Sequence, residues 1–262
     1  MILAEVEPAP VSHPTFEVGG CGNWCTFNSD SLISSGLAIV ITIVFAIVVA
    51  RMLNPSRPGR LQGIMEWLFG YVRRNVSENS PDAASFVVPL AATIGFYILV
   101  ANWLDFLPIT IVQNLHPANT DLNQTLAMAI VVFLLLQWYN VRLRGWKGYF
   151  RYFVGDRPHG MSLPWRIAFV PLNLIEEIVK PLTLSMRLFG NIFAGLLMGY
   201  VIVLILGGIP GVGTWLLGPA FLAAWKLFDV GFIGLIQALI FMLLTIIYFG
   251  LAREGLEAEH AH

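Results

Sequence analysis

The sequence predicts an all-α, polytopic membrane protein. It has five membrane passages, the last two of them long tilted helices forming a hairpin, and one amphipathic surface helix. Three observations predict this. Hydrophobic residues make up 57% of the chain and charged residues only 12%, whereas a soluble domain carries about twice that charged fraction. Apolar stretches long enough to cross a bilayer recur along the chain. The positive charges alternate between the segments that connect those stretches. Because the stretches occupy most of the chain, residues 1–262 read as a single membrane domain with short loops.

Residues 1–30 form an N-terminal segment. The first 31 residues hold no Lys or Arg, so no basic n-region of a cleavable signal is expected. Cys21 and Cys25, the only cysteines, are too few for a zinc site, which needs about four ligands. They form a disulfide or stay as two thiols, depending on the compartment. Residues 31–52, 84–108 and 122–141 are each near the ~20 residues a spanning helix needs. Between the first two, Leu61, Ile64, Met65, Leu68, Val72 and Val76 recur at helical spacing, with Arg60, Glu66, Arg73 and Arg74 elsewhere. Residues 59–76 are therefore expected as an amphipathic helix on the inner membrane face; the alternative is a solvated loop.

Two longer apolar stretches follow, 164–206 and 215–252, separated by a Gly/Pro loop from Gly207 to Gly213. Forty helical residues run ~60 Å, twice the ~30 Å hydrocarbon core. Splitting the first stretch near Lys180–Pro181 would place Lys180 and Arg187 outside and break the charge pattern. Two steeply tilted helices are the simpler solution, the first bent at Pro181. Arg51, Arg57, Arg60, Arg73 and Arg74 lie between spans one and two, and Arg142, Arg144, Lys147, Arg151, Arg157 and Arg166 follow span three. The N-terminus, the 109–121 loop and the 207–214 loop carry no Lys or Arg. The N-terminus is accordingly expected outside and the C-terminus inside.

Arg253 follows the last stretch, and the three remaining cations, Lys180, Arg187 and Lys226, all lie inside apolar stretches. Arg187 is the most informative, since a guanidinium stays charged at any accessible pH. At a bilayer centre it costs roughly 2.5–3.5 kcal/mol on insertion scales, and snorkelling cannot carry it to water from that depth. It must face protein, a carboxylate or an aqueous cavity. With Arg187 as zero and about 100° per residue, Glu176 falls near −20°, Lys180 near +20°, Thr183 near −40°, Asn191 near +40° and Glu177 near +80°. The stripe reads as a wet path from the inner surface toward Arg187, or, for Lys180, as a Glu176–Lys180 pair at i,i+4. In the last stretch Lys226 and Gln237 share a face, and Asp229 is turned about 80° away on a regular helix. These residues read as an outer polar path to Gln237, or as a local Lys226–Asp229 pair. Gly190, Ala194, Gly195 and Gly199 border the arginine; the Gly195–Gly199 spacing lets another helix approach closely.

Other chemistry is excluded. No phosphate-binding Gly-x-x-x-x-Gly-Lys-Ser/Thr loop occurs. All five histidines, His13, His116, His159, His260 and His262, lie outside the spans, which removes intramembrane Ser–His hydrolysis, haem ligation and most metal sites. No basic patch of the nucleic-acid kind appears, and no inverted repeat of the secondary-transporter kind is visible. No catalytic residue, metal or cofactor is expected.

The run KPLTLSMRLFGNIFAG, Lys180–Gly195, strongly resembles the arginine-bearing helix of the a-subunit of F-type ATP synthases. The run LIQALIFMLLTIIYFG, Leu235–Gly250, resembles that family's last helix, and TFNSDSL, ANWLDFLP and DLNQTLAMA echo it in order along the chain. The resemblance implies a proton-translocating stator subunit, not an enzyme, in a bacterial plasma membrane. Its implied partners are a c-ring of proteolipid hairpins, peripheral-stalk b-subunits and the other synthase subunits. It implies two half-channels, with Arg187 as the essential arginine and Asn191 and Gln237 as its mid-membrane partners. Several relatives carry a polar group nine residues after the arginine and another seven before the glutamine; here those positions are Leu196 and Val230. Lys226 and Asp229 then either replace those groups or form a structural pair. The rival readings are a secondary ion/solute transporter with Arg187 as an anion site, and a purely structural scaffold.

Overall fold

The computed structural model describes residues 15–17, 26–54, 59–79, 84–106, 118–155, 163–207 and 217–260. Cys21, Cys25 and residues 208–213 of the expected Gly/Pro loop lie outside the described residues. A short antiparallel ribbon, β1 (Thr15–Glu17) and β2 (Thr26–Asn28), pairs Phe16 with Phe27. It is an addition to the expected N-terminal segment. The other regular elements among the described residues are helical: α1 (Ser29–Met52), α2 (Arg60–Asn79), α3 (Ala84–Leu104), a 3₁₀ turn at Ala118–Thr120, α4 (Leu122–Gly155), α5 (Leu163–Gly207), α6 (Gly218–Phe228) and α7 (Gly234–His260). Residues Asp229–Ile233 join α6 to α7 as a π-helical turn.

Five helical runs among the described residues are long and apolar enough to cross a membrane: Ser29–Met52, Ser85–Leu104, Leu122–Phe150, Val170–Leu206 and Gly218–Arg253. Their surface chemistry suits a bilayer. In α1 the buried face is small and polar, built from Ser31, Ser34, Ala38 and Thr42. Ile33, Ile39, Val40, Ile43, Val44 and Ile47 are exposed. Lipid exerts no hydrophobic drive between helices, so small residues pack and large apolar ones face the tails. The sequence places the first two span starts within two residues of the observed ones. It stops the third at residue 141, whereas α4 runs on to Gly155 with a break at Gly145.

The chain forms two compact units. One comprises Met1–Val48, Phe96–Gln124 and Leu188–Ala238; the other comprises Val49–Gly95, Thr125–Arg187 and Leu239–His262. In the first, Ala38, Val100 and Ala101 form a core with Phe96, Tyr97 and Leu104 against it, and Phe45 stacks on Phe96 at 4.5 Å. In the second, Val72 and Val76 of α2 are fully buried with Val87, Ala91, Leu136, Tyr139, Met242, Ile246 and Phe249. Phe249 makes T-shaped contacts with Phe86 and Tyr139, ring centroids 5.3 and 5.4 Å apart. The amphipathic stripe of α2 thus docks its C-terminal half into protein, while Leu61, Ile64 and Trp67 stay exposed. Gly250 admits α2 closely: a Cβ there would stand 2.9 Å from Asn79 Cβ.

Candidate functional site

α5 is 45 residues long with Pro171 and Pro181 inside it. Its polar stripe faces out of the chain. Glu176, Thr183, Arg187, Ala194 and Met198 are exposed, and Lys180 and Asn191 are half-buried. The opposite face is buried: Leu184, Ser185, Leu188, Ile192, Gly195 and Gly199. Among the described residues Arg187 makes no hydrogen bond or ion pair. A charge on the outward face of a membrane helix is the reverse of what lipid alone tolerates.

A first polar cluster lies in the unit that contains Thr125–Arg187. Lys180 pairs with Glu177, not with Glu176 as the i,i+4 alternative had it. Glu177 is buried and Glu176 exposed, because the +80° position turns away from the outward stripe and into the chain. The Gln137 amide donates to the other Glu177 oxygen at 2.9 Å, and the Tyr149 hydroxyl donates to Gln137 Oε1 at 2.9 Å. Both carboxylate oxygens of Glu177 are therefore engaged. Gln137 and Tyr149 are twelve residues apart on α4 and would be ~18 Å apart along a straight helix. They meet because Gly145 adopts φ 67°, ψ 167°, a conformation essentially confined to glycine. In the same unit Thr125 and Ser185 share a buried hydroxyl contact at 3.1 Å.

A second cluster lies in the unit that contains Asn191 and Gln237. Lys226 donates to Asp105 Oδ2 at 2.6 Å. This replaces the local Lys226–Asp229 pair that the sequence offered as an alternative. Asp229 is buried, and among the described residues its carboxylate makes no hydrogen bond. Asn102, Asp105, Asn191, Ile192, Asp229, Val230 and Gly234 line one small cavity. Asn119 Nδ2 donates to Asn102 Oδ1 at 2.9 Å, and Asn102 Nδ2 donates to the Gly234 carbonyl at 3.2 Å.

The π turn revises the helical arithmetic of the last stretch. The Gly234 N–H bonds to the Asp229 carbonyl, five residues back. A turn closed this way holds one residue more than a regular one, so the following helix lags by about 100°. Asp229, about 80° off the Gln237 face on a regular helix, comes within about 20° of it, and Lys226 leaves that face. Asp229 and Gln237 are both 6% exposed, as a shared inward face requires. Gln237 Nε2 has no protein partner among the described residues.

The Gly195–Gly199 face does receive a helix. Leu222 Cδ1 would stand 3.6 Å from a Cβ on Gly199, and Asp229 Oδ2 only 2.1 Å from one on Gly195. Trp225 Nε1 donates to the Gly195 carbonyl at 3.0 Å. Leu222, Trp225 and Asp229 thus seat on α5 at i, i+3 and i+7.

Of the predicted residues, the structure brings Glu177 to Lys180. It brings Lys226, Asp229 and Asn191 into one neighbourhood, and it leaves Glu176 and Arg187 on the outward face. Sequence reasoning missed Gln137, Tyr149, Asn102, Asp105 and Asn119 as site residues. Gln137 and Asn102 carried a usable signal, since each is a polar side chain within an apolar span.

Comparison with known proteins agrees with this architecture. The family model described as ATP synthase A chain matches residues 32–250. ATP synthase subunit a of Acidothermus cellulolyticus is 36% identical over 241 residues, covering 90% of this chain and 82% of that protein. Its counterpart in Mycobacterium ulcerans is 37% identical over 244 residues, covering 90% of each chain. The Staphylococcus saprophyticus counterpart is 35% identical over 229 residues, covering 85% of this chain and 89% of that one. With a match spanning nearly all its membrane helices, the chain belongs to the ATP synthase A chain family.

Proposed function

We propose that this chain is the ion-translocating stator subunit of a bacterial plasma-membrane ATP synthase, itself without bond chemistry. In this reading the outward stripe of α5 faces a ring of proteolipid c-subunits, and Arg187 stands before their carboxylates. The single observation that carries the reading is that stripe: an obligate cation, flanked by Glu176, Thr183 and Asn191, without a partner among the described residues and turned away from the core. A fixed cation favours the ionised form of an approaching carboxylate, so the proton leaves before the site passes. The same cation opposes a proton crossing directly between the two sides. The length of α5, about 67 Å if straight, supports a steep tilt that follows the curved wall of the ring.

The two polar clusters then serve as the two half-channels. Glu176, Glu177, Lys180 and Thr183 lie on the side from which α5 enters, which the arginine-rich connections mark as the inside. Lys226 and Asp229 lie on the opposite side of Gln237, with Asn191 lining the same cavity. The N-terminus is outside, the C-terminus is cytoplasmic, and the whole chain acts as one membrane domain. Peripheral-stalk b-subunits and the remaining synthase subunits complete the assembly. The test is Arg187→Ala in the intact complex reconstituted in liposomes. ATP-driven proton pumping falls below a hundredth of wild type while subunit composition is unchanged; pumping at the wild-type rate overturns the proposal.

A further inference from the structure

The far end of α4 is built differently from the rest of that helix. Residues 122–155 hold Arg142, Arg144, Lys147 and Arg151, and neither Asp nor Glu. All four cations follow the apolar run. On a straight helix Arg142 stands about 30 Å from Leu122, the thickness of a hydrocarbon core. It therefore arrives at the level of the lipid headgroups. Gly145, at φ 67°, then breaks the helix. Continued straight, the chain would leave the membrane. Instead the Tyr149 hydroxyl stays in reach of Gln137, at 2.9 Å. Gly148 lies close to the helix end as well: a Cβ there would stand 3.1 Å from the Arg144 Cβ. Residues 146–150 are thus held back along the membrane–water interface, near the depth of residues 137–142.

Two kinds of side chain are left outward at this level. Trp138, Trp146 and Phe150 are exposed, and Trp146 stacks on Phe150 with ring centroids 6.5 Å apart. Large amphipathic rings favour the headgroup depth. Arg142 and Lys147 are exposed too. The Arg142 guanidinium lies over the Trp138 ring, 5.3 Å from its centroid, so cation and aromatic surface form one patch. Neither Arg142 nor Lys147 meets a carboxylate among the described residues. Arg144 differs from them, because it donates to the Ala252 carbonyl at 3.0 Å.

We propose that Arg142 and Lys147, framed by Trp138, Trp146 and Phe150, bind the phosphate of a net-anionic phospholipid. The guanidinium and the ammonium donate charge-assisted hydrogen bonds to the phosphate oxygens, while the acyl chains pack on the exposed rings. The charge balance selects the lipid class. A zwitterionic headgroup brings its own cation to a segment that has no carboxylate to receive it. A net-anionic headgroup neutralises the two free cations and brings none, as basic sites at helix ends generally require. Arg142 and Lys147 stand on either side of Gly145, so one bound phosphate bridges the break in the helix. The inference needs only the membrane spans and is independent of the ion-translocating reading above.

The test uses the intact complex in nanodiscs with two photoactivatable lipids that differ only in headgroup, phosphatidylglycerol and phosphatidylcholine. Cross-links to residues 138–150 are quantified by mass spectrometry. Phosphatidylglycerol labels these residues on the order of tenfold more than phosphatidylcholine, the scale set by two basic residues at a lipid phosphate. Arg142→Gln/Lys147→Gln lowers the labelling to the phosphatidylcholine level with unchanged subunit composition, and Arg142→Lys/Lys147→Arg keeps the preference. Arg73→Gln/Arg74→Gln, which removes two exposed cations from α2, leaves it intact. Glycerol phosphate in the buffer does not compete. Equal labelling of the wild type by the two lipids overturns the inference, whether or not the Gln variant assembles. An equal loss in the α2 variant also overturns it, since the attraction is then diffuse. So does competition by glycerol phosphate, which makes the ligand soluble, or cross-linking of residues 138–150 to another subunit in place of lipid.

Discussion

Replacing Lys226 by Met removes the cation from a largely buried pair. The Asp105 side chain is 6% exposed and that of Lys226 25%. Asp105 Oδ1 has no other donor among the described residues. Stripping one partner from a fully buried pair costs about 3–5 kcal/mol. The quarter exposure of the lysine admits some solvent and lowers the expected loss to roughly 2–3 kcal/mol. Asp105→Asn strands the ammonium instead and costs less, roughly 1–2 kcal/mol, because the lysine tip can turn toward water. The double variant leaves two neutral groups of similar shape and is close to neutral. The coupling between the sites is therefore about 4 kcal/mol, on the order of a thousand-fold in a rate constant. The assay is the heat-induced dissociation rate of the assembled complex, read on native gels at one temperature for the four members of the cycle. Each single variant dissociates faster, and the double variant dissociates on the order of a thousand-fold more slowly than additivity requires. Additive rates refute the reasoning, since they mean that Lys226 and Asp105 do not sense each other.

Three further outcomes are expected. Gly145→Ala forces a side chain into φ 67°, costs about 1–3 kcal/mol and releases Tyr149 from Gln137; faster amide exchange across residues 146–155 reports it, and unchanged protection contradicts it. On a background without Cys21 and Cys25, a cysteine at position 210 labels only from outside and one at position 147 only from inside; the reverse pattern sinks the five-passage orientation. A cysteine at 176 reacts with a small thiol reagent from the inner phase and one at 229 from the outer phase, and through-membrane access by either while Arg187 is intact contradicts two separate half-channels.

Local chemistry was enough for much of this protein. Five apolar stretches, each long enough to cross a bilayer, and alternating arginine-rich connections define a polytopic helical membrane chain, because the cost of desolvating backbone and charge leaves few other folds. Arg187 was legible for the same reason: its intramembrane charge cannot be hidden, whatever the packing. The stripe from Glu176 to Asn191 followed from helical periodicity, and α5 keeps that periodicity throughout its length. Tertiary structure alone decided which charges meet. Lys226 reaches Asp105, 121 residues away, and Glu177 reaches Gln137, 40 residues away, contacts that no wheel drawn on one helix contains. It also decided where a wheel fails. At the π turn of Asp229–Ile233, Asn102 of another helix donates to the Gly234 carbonyl, and Asp229 packs over the bare Cα of Gly195. The glycine break at Gly145 likewise becomes visible only through its φ and through the tyrosine it delivers. The sequence alone determined the membrane fold and the stranded cation, since both follow from the energetics of single residues in lipid. The partners of the remaining charges, and the face Asp229 presents, belong to the packing, where one extra residue in a turn redirects every side chain beyond it.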